Sequence, residues 1–452
     1  MEIFMENNNS LGTAPITKLI FKLAIPTVFA QLVNLLYNIV DRIYVGRIPE
    51  IGSLSLAGLG VTFPIILLIS AFAMLAGMGG ASRAAISMGA KDNDAAEKIL
   101  GNSTMLLIIF SIALSVAFFF TKDWILLTFG ASKATLPYAS EYITIYLCGT
   151  IFVQLALGLN MFITNQGFTK TSMLTVCIGA VLNIVLDPIF IYVFGMNVKG
   201  AALATVISQA VSCLWVVKFL CGKKTIIKIK LKNLALRKNI VLAIISLGIS
   251  PFIMQATECL IQLTFNNGML KYGDDSYVAL MSILFSLMQL IWMPLQGFSQ
   301  GAQPVIGYNY GAGQTDRVKK AFKVQFIVNL TFSVVAIGIV ELFPKLFIGL
   351  FTNDPNLMNI GINTTRLFLA GMAVMGAQSA CQQTFLALGE AKISMFLACL
   401  RKVILLFPLA LILPHVANLG VWGLLLAEPV SDVIAAACTT TMFYFRSKKL
   451  FG

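Results

Sequence analysis

Charged residues are scarce in this sequence of 452 residues. Asp, Glu, Lys and Arg make up 11% of the chain, whereas a water-exposed globular protein carries about 25%. Hydrophobic residues account for 58%, and the mean hydropathy is +0.87. This composition excludes an ordinary globular enzyme, a disordered chain and a collagen-like fibre. It predicts a protein embedded in a lipid bilayer.

The residues that carry most enzymatic chemistry are also few or isolated. The eight cysteines form no C-x-x-C pair, and His415 is the only histidine, so zinc sites and Ser-His-Asp triads have no candidates. No G-x-x-x-x-G-K-[ST] sequence is present, so the chain has no P-loop of its own. We therefore predict no enzymatic activity and no cofactor, and we expect any transport to be driven by an ion gradient or a partner.

Twelve apolar stretches are long enough to cross a bilayer as helices, which takes about 20 residues for a core of about 30 Å. Residues 105–120, for example, contain two serines and no charge. The alternation of ten-residue segments that is typical of outer-membrane barrels is absent. The predicted fold is therefore an all-α integral membrane protein with twelve transmembrane helices, at 16–44, 53–80, 97–120, 135–160, 171–195, 200–221, 239–268, 277–308, 318–343, 357–386, 392–414 and 419–445.

Lysine and arginine are distributed unevenly between the two sides that these spans define. One side holds 24 of the 32 basic residues, including Arg401, Lys402 and the seven in 222–238, and the other side holds 8. We expect the richer side to face the cytoplasm, with both termini there because the number of spans is even. Residues 1–15 lack the features of a signal peptide, so the first span should be an uncleaved anchor. The net charge of +13 is then a topology signal, and we expect no nucleic-acid partner.

The polar stretch 222–238 divides the chain into two similar halves. Residues 167–173 match residues 389–395 at Gly, Lys, Ser and Met, an offset of 222. Each half contains six spans and therefore has the same orientation, and parallel repeats of this kind place a cavity between two bundles. Duplication kept only for packing is the alternative. We predict two pseudo-symmetric six-helix lobes, an N-terminal lobe at 1–221 and a C-terminal lobe at 239–452, joined by a basic cytoplasmic linker at 222–238.

Polar residues form a stripe along the first span. At 100° per residue, Gln31, Asn34, Asn38 and Asp41 fall within an arc of about 80°, with Tyr37 on its flank. The remaining positions of this span are mainly Leu, Val and Ile. A polar stripe at membrane depth must face water or other polar groups rather than lipid. We expect these residues to line a cavity that binds substrate.

The seventh span repeats this pattern. Gln255, Glu258 and Gln262 lie 224 positions after the three amides of the first span. Both halves are therefore expected to present an amide-rich face to a shared cavity. The acids differ in depth, because Asp41 lies near the outer end of its span and Glu258 lies nearer the middle.

Asp41 has candidate partners on the fifth and sixth spans. Asn183 and Asp187 are four residues apart and share one helix face, and Thr205 lies about 9 Å below the outer surface at 1.5 Å per residue. These four side chains can meet in the outer half of the first lobe. Two carboxylates, an amide oxygen and a hydroxyl suit Na⁺, and neighbouring carboxylates repel each other, which favours uptake of a proton. Helix–helix hydrogen bonding alone is the alternative.

Proline and further intramembrane charges give weaker signals. Pro26 removes one hydrogen bond from the first span and should mark a bend, with a static kink as the alternative. Glu428 and Asp432 on the twelfth span and Arg401 on the eleventh are best interpreted as an ion pair between second-lobe helices. An ionisable residue at this depth is nevertheless a functional candidate.

Several motifs together resemble the multidrug and toxic compound extrusion (MATE) transporters along nearly the whole chain. They are Pro26, V-D-R-I-Y-V-G at 40–46, G-A-K-D-N-D at 89–94, N-Q-G-F-T-K at 165–170, N-I-V-L-D-P at 183–188 and G-A-A-L-A-T at 200–205, with the second-lobe copies. The resemblance implies two lobes in a V shape and a prokaryotic cytoplasmic membrane. It also implies export of small amphipathic, often cationic compounds in exchange for Na⁺ or H⁺. We expect a monomer.

The resemblance also implies site residues. In relatives with this first-lobe pattern, the cation site is formed by positions matching Asp41, Asn183, Asp187 and Thr205, and positions matching Tyr37 and Asn160 line the same cavity. Relatives with a second-lobe site use an acid on the seventh span, which Glu258 resembles, and one on the tenth. This chain has Gln378 and no acid on the tenth span, so we expect the first lobe to bind the coupling ion.

Other transporter classes fit the sequence less well. A lipid-linked-precursor flippase of the wider superfamily would have extra helices and a basic cavity, and a carrier for a non-drug secondary metabolite would share the fold. A major-facilitator carrier needs a G-x-x-x-D-R-x-G-R loop after the second span, which residues 89–98 lack. An ion channel would not need two alternating lobes.

Overall fold

The structure, a computed structural model, describes residues 10–352 and 354–451, and these residues fold into an all-α bundle. The first lobe contains α1 (Ile16–Gly46), α2 (Gly52–Gly89), α3 (Asn93–Thr128), α4 (Leu136–Cys148 and Thr150–Asn165), α5 (Thr169–Pro188, extended by a π-helical turn at Ile189–Val193) and α6 (Asn197–Cys221). Residues 1–9 and 452, which hold both termini, lie outside the described residues.

The second lobe has the same number of spans. It contains α7 (Lys238–Tyr272), α8 (Asp275–Gly311), α9 (Thr315–Leu342), α10 (Pro355–Leu369 and Met375–Ala387, joined by the 3₁₀ turn Ala370–Val374), α11 (Ala391–Cys399, the π-helical stretch Leu400–Leu406, Phe407–Ile412 and the 3₁₀ turn Leu413–Asn418) and α12 (Val421–Phe451). A short helix, Pro344–Gly349, follows α9, and a 3₁₀ turn, Leu231–Asn233, lies in the linker between the lobes.

The helix count confirms the predicted membrane fold. Among the described residues, eleven helices are long and apolar enough to span a membrane, and the number is twelve if α4 is taken as one bent span. The helices generally extend beyond the predicted apolar runs, because their polar ends continue the helical hydrogen bonding past the membrane core. α2, for example, continues to Gly89 rather than ending near residue 80.

The fourth span is bent, which the sequence did not predict. Its two segments meet at Gly149 with an angle of 60°. A Cβ at Gly149 would lie 2.5 Å from the side chain of Val206 on α6, so a residue without a side chain is needed where the two helices cross. The bend directs the inner face of the Leu136–Cys148 segment towards α6 and the end of α1.

Each lobe has its own apolar core. A cluster that includes Val45, Ile69, Ile143 and Ala201 lies within α1–α6. A second cluster, which includes Phe265, lies within α7–α12. This arrangement fits a division between 221 and 239, although the boundaries of the two lobes stay a prediction.

The lobes contact each other mainly through α1 with α8 and α2 with α7. These contacts lie towards the end of the bundle that carries Lys91, Lys98 and the linker 222–238, which we call the basic end. A Cβ on Gly248 of α7 would lie 1.9 Å from the carbonyl oxygen of Leu75 on α2. The two backbones therefore touch, and only glycine fits at this crossing.

Polar bonds also hold the basic end closed. The hydroxyl of Thr27 on α1 donates to the carbonyl of Gly297 on α8 at 2.6 Å. Arg317 on α9 donates to the carbonyl of Ala14 at 2.8 Å and to the side chain of Asn309. Towards the opposite end, the amides on the facing sides of α1 and α7 keep part of their surface accessible. The described contacts between the lobes thus concentrate near the basic end, and we call the region between α1 and α7 beyond them the cleft.

Candidate functional site

Four polar side chains of α1, α5 and α6 meet near the end of the first lobe that lies opposite the basic end. Asn183 donates one hydrogen bond to Asp187 Oδ1 at 3.2 Å and another to Thr205 Oγ1 at 3.3 Å. The carboxyl groups of Asp41 and Asp187 lie close enough to interact directly. The structure therefore brings together the four residues that the sequence singled out, and we call them the first-lobe polar site.

This site is enclosed and rich in acceptor atoms. Asp187 is 0% exposed, Asn183 is 2% exposed, and Asp41 and Thr205 are each 9% exposed. Asp41 Oδ1, Asn183 Oδ1 and Asp187 Oδ2 have no hydrogen-bond partner among the described residues. An unsatisfied buried oxygen costs free energy, and a buried carboxylate without a partner costs more. A bound Na⁺ or proton would satisfy these atoms, because both take oxygen ligands or acceptors.

Local backbone features position the two acids. Asn183 and Asp187 are one turn apart on α5, so they share one face, from which Asn183 reaches Thr205 on α6 and Asp187 reaches Asp41 on α1. Pro188 ends the regular helix, and a π-helical turn, Ile189–Val193, follows. Tyr192 in this turn donates its hydroxyl to the carbonyl of Tyr44 on α1 at 2.7 Å. This bond ties α5 to the turn of α1 that follows Asp41, and π turns are frequent at functional sites.

Three tyrosines surround the site, and the sequence pointed to only one of them. Tyr37 interacts with both acids, and the hydroxyl of Tyr142 lies beside Thr205. Tyr142 and Tyr146 are buried, one turn apart on α4, with ring centroids 6.2 Å apart. Their spacing in Y-I-T-I-Y was a usable signal, because aromatic residues four apart share a helix face. The bend of α4, which aims that face at Thr205, was not visible in the sequence.

The other predicted cavity residues of the first lobe lie nearer the basic end or on the cleft. Gln31 donates to Gln300 of α8 at 3.1 Å and so forms part of the contact between lobes. Asn34 is half-buried and Asn38 is exposed, and the Asn38 side chain donates to the carbonyl of Asn34. Asn160 lies apart from the polar site, because its side chain donates to the carbonyl of Ser172, near the start of α5.

In the second lobe the predicted acids belong to a buried network of ion pairs. Arg401 on α11 contacts Asp432 at 2.8 Å and Glu428 at 3.2 Å, both on α12. Lys402 donates to Glu258 of α7 at 2.7 Å. We call these five residues the second-lobe charge network. The prediction of an ion pair between Arg401 and the acids of the twelfth span is confirmed.

Two basic residues of the second-lobe charge network change the number of basic residues assigned to the basic side. The prediction that Arg401 and Lys402 belong to the loops and helix ends of the basic side is wrong. Both lie in the π-helical stretch Leu400–Leu406 and are only 6% and 5% exposed. A helix start at Ala391 places them about 15 Å into the span. They compensate buried acids, so the basic side holds 22 rather than 24 of the basic residues.

The remaining second-lobe candidates do not bond to one another. Gln255 and Gln262 are half-buried along α7, and Gln262 interacts with Glu258. Gln378 on α10 is buried, and its Oε1 has no hydrogen-bond partner among the described residues. The side chain of Glu258 is 23% exposed, so it is the member of the network that reaches the cleft.

Pro26 lies inside α1, which continues as one helix from Ile16 to Gly46. The residue after it, Thr27, bonds to the carbonyls of Ala24 and Gly297. Pro26 therefore lies where α1 touches the second lobe. The bend predicted at this position stays a prediction.

Comparisons with known proteins identify a family and several similar chains. The MatE family model matches residues 26–189 and 251–412. The multidrug export protein MepA of Staphylococcus saprophyticus is 26% identical over 91% of this chain and 91% of its own length. An outward-facing multidrug resistance MATE family transporter of the MOP superfamily has a TM-score of 0.91 at 25% identity, with 98% of both chains covered.

A further solved structure has the same fold but a different description. It is a MOP superfamily transporter from Pyrococcus furiosus, described as having a binding pocket of reverse polarity that suggests a different function. Its TM-score is 0.90 at 25% identity, again with 98% of both chains covered. The family match extends into both lobes and covers most of α1, α5, α7 and α11, which carry most of the buried charge. The chain therefore belongs to the MatE family and is a membrane transporter, not an enzyme.

Proposed function

We propose that this protein is a cation-coupled antiporter that exports small amphipathic, often cationic compounds by alternating access. The observation that carries the proposal is the first-lobe polar site, where two buried carboxyl groups have oxygens without a hydrogen-bond partner in the part of the chain that the structure describes. A coupling ion, Na⁺ or H⁺, binds there and neutralises the site. Neutralisation removes the negative charge that holds a cationic substrate, so ion entry and substrate release are linked.

The relatives support the export of drugs. The staphylococcal proteins are described as multidrug export proteins, and they match nearly the whole length of this chain. The cleft between α1 and α7 offers amides to a bound compound, and the Glu258 carboxylate, which is paired with Lys402, is 23% exposed beside them. Such a surface discriminates by general polarity and shape, which suits varied amphipathic ligands.

The proposed orientation follows from the basic residues. With Arg401 and Lys402 removed from the count, 22 basic residues lie on the basic side and 8 on the other. The positive-inside rule then places the basic end, the linker and both termini in the cytoplasm of a bacterial cell. The closed base of the cleft therefore faces the cytoplasm and the open side faces outwards. We propose that one chain suffices for this cycle.

The test is dye efflux in inverted membrane vesicles with an imposed Na⁺ or pH gradient. Asp41→Asn removes one carboxylate and keeps the size of the side chain. Gradient-driven efflux should then fall at least about tenfold, because a loss of about 1.4 kcal/mol in the free energy of ion binding already weakens that binding tenfold. Asp123→Asn is the matched control, because Asp123 is an exposed acid on α3, bonded to its neighbour Lys122.

Two results would contradict the proposal. Unchanged efflux in Asp41→Asn would show that the first-lobe polar site is not the coupling site. Loss of coupling in Glu258→Gln alone would move the coupling site to the second lobe. The gradient that drives efflux in the parent protein identifies the ion.

A second candidate function is a carrier for a non-drug metabolite. The Pyrococcus furiosus transporter of the same fold, described as having a binding pocket of reverse polarity that suggests a different function, supports this second candidate. A lipid-linked-precursor flippase would need a basic cavity, whereas Lys402 and Arg401 are buried and ion-paired. Efflux assays with anionic and cationic dyes separate the candidates, because a cavity with accessible carboxylate should prefer cations.

A further inference from the structure

Hydrogen bonds attach the linker 222–238 to the first lobe. The side chain of Gln166 accepts hydrogen bonds from the backbone of Ile226 at 2.8 Å and Ile227 at 3.1 Å. On α3, Asn102 accepts from the backbone of Arg237 at 2.8 Å. Gln166 and Asn102 are almost fully buried. Buried side chains that bond to backbone groups specify one path for the linker.

This path places the linker at the edge of the membrane core. Asn102 lies nine residues, or about 13 Å, from the start of α3, and the uncharged apolar run 105–120 begins just beyond it. A Cβ on Gly101 would lie 2.3 Å from the carbonyl oxygen of Asn233, so the linker backbone touches α3 at this height. The linker therefore lies at the level of lipid headgroups rather than out in the water.

The surface that the linker presents is basic and partly apolar. Residues 222–238 contain seven basic residues and no acid. Lys230 pairs with Glu97 of α3, whereas no salt bridge forms to the other six among the residues that the structure describes. Two leucines are exposed beside them, Leu231 by 86% and Leu236 by 46%. Exposed leucines are unfavourable in water, but they suit the boundary between headgroups and acyl chains.

We propose that the linker 222–238 is a docking surface for anionic phospholipids of the leaflet that faces the basic end. Charge complementarity carries this assignment, since a segment with only positive charges matches phosphate headgroups at the membrane surface. Leu231 and Leu236 enter the acyl boundary, and the exposed lysines bind the headgroups. The linker joins the two lobes and is hydrogen-bonded to the first lobe. Lipid bound to the linker therefore also stabilises the point at which the linker enters α7.

The experiment titrates the purified full-length protein, in a neutral detergent, with phosphatidylglycerol or phosphatidylcholine of matched acyl chains. The readout is the thermal unfolding midpoint. The test variant is Lys223→Gln/Lys224→Gln/Lys232→Gln, which removes three exposed charges. The matched control is Lys319→Gln/Lys320→Gln/Lys323→Gln, which removes three exposed charges from α9, at the same end of the molecule.

Phosphatidylglycerol should raise the midpoint of the parent and of the control at the same lipid concentration. At low ionic strength, the linker variant should need on the order of a hundredfold more phosphatidylglycerol than the parent to reach half of the maximal rise in the midpoint. At high salt, this difference should be smaller. The variant Leu231→Ser/Leu236→Ser keeps every charge. It should need several-fold more phosphatidylglycerol than the parent for the same rise in the midpoint. Phosphatidylcholine should not distinguish the variants.

Three outcomes would overturn the proposal. The linker variant could respond to phosphatidylglycerol as the parent does, or the α9 control could lose the response to the same extent. Glycerol phosphate could also reproduce the full stabilisation, which would indicate a site for a soluble anion rather than a membrane surface. These outcomes do not depend on Asp41, so failure here leaves the proposed transport function standing.

Discussion

The two lobes balance their buried charge in different ways. In the first lobe, the carboxyl groups of Asp41 and Asp187 lie near each other, and neither forms a salt bridge among the described residues. In the second lobe, the three acids of the charge network face Arg401 or Lys402. The buried acids of the first lobe therefore have no salt-bridge partner in the described part of the chain, whereas those of the second lobe are paired with basic side chains.

The sequence offsets between the two halves locate this difference at corresponding positions. The offset of 224 pairs Asp41 with Phe265, and the offset of 222 pairs Tyr146 with Phe368 and Asp187 with Leu409. Phe265 and Phe368 are fully buried, with ring centroids 5.8 Å apart. The place that is a polar site in the first lobe is an aromatic core in the second.

The converse holds for the charges of the second lobe. The offset of 222 pairs Arg401 with Gly179 and Lys402 with Ala180. A Cβ on Gly179 would lie 2.7 Å from the hydroxyl of Ser212, so α5 and α6 pack closely where α11 carries its basic pair. Positions related by these offsets thus hold a buried polar site in the first lobe and a compensated charge network in the second.

The largest expected effect comes from breaking the second-lobe network. Arg401→Met leaves Glu428 and Asp432, both almost fully buried, without their cation. An unpaired buried charge costs about 3–5 kcal/mol, so the free energy of unfolding should fall by that amount. Thermal or denaturant unfolding in detergent measures it. Arg366→Met, which removes an exposed arginine, is the control and should cost less than about 1.5 kcal/mol.

The triple variant Arg401→Met/Glu428→Gln/Asp432→Asn sharpens this prediction. It removes the acids together with their partner, so most of the lost stability should return. A loss below about 1 kcal/mol in Arg401→Met, or no recovery in the triple variant, would show that the network does not need its internal cation.

Removing a buried charged group from the first lobe should not lower the free energy of unfolding. Asp187→Asn removes a buried carboxyl group that has an unsatisfied oxygen, so the cation-free protein should keep its stability or gain some. The parent should gain about 2.7 kcal/mol at a hundredfold excess of coupling cation over Kd. Asp187→Asn should lose this gain, and a cation-dependent gain that persists would contradict the proposed site.

Much of the fold was predictable from the sequence, because apolar runs near 20 residues have few alternatives to membrane helices. The first-lobe polar site was also predictable, since Asn183 and Asp187 share a helix face and Asp41 lies at a matching height. The bend at Gly149 was not predictable. It depends on Val206, which is distant in sequence and becomes a neighbour only in the folded lobe.

The second-lobe network shows a different limit of the sequence. Adjacent Arg401 and Lys402, ten residues after a polar loop, look like a basic helix end. Their partners lie 31 and 144 residues away, and the π-helical stretch that turns both side chains towards acids has no clear sequence pattern. The acids were recognised, but Lys402 was not assigned to Glu258.

The ion pair of Lys402 and Glu258 tests the difference between the two lobes through an effect of intermediate size. The Glu258 side chain is 23% exposed, so Lys402→Met leaves it in partial contact with the cleft and should cost about 1–2 kcal/mol. The freed carboxylate should then accept a cation from solution, so the variant should gain cation-dependent stability. A double-mutant cycle with Glu258→Gln measures the coupling. A coupling near zero would show that the two side chains do not compensate each other.

The smallest expected effect concerns the tyrosines that border the first-lobe polar site. Tyr142→Phe removes the hydroxyl beside Thr205 but keeps the buried ring, and it should lower the free energy of unfolding by about 0.5–1.5 kcal/mol. Tyr146→Phe is the matched control on the same helix face. If Tyr142 orients Thr205 towards the cation, its variant alone should weaken cation-dependent stabilisation by a few-fold, measured as the cation concentration at half effect. Equal shifts in both variants would assign the tyrosines to packing, and the selectivity of the first lobe would then depend on its carboxyl groups and on Asn183.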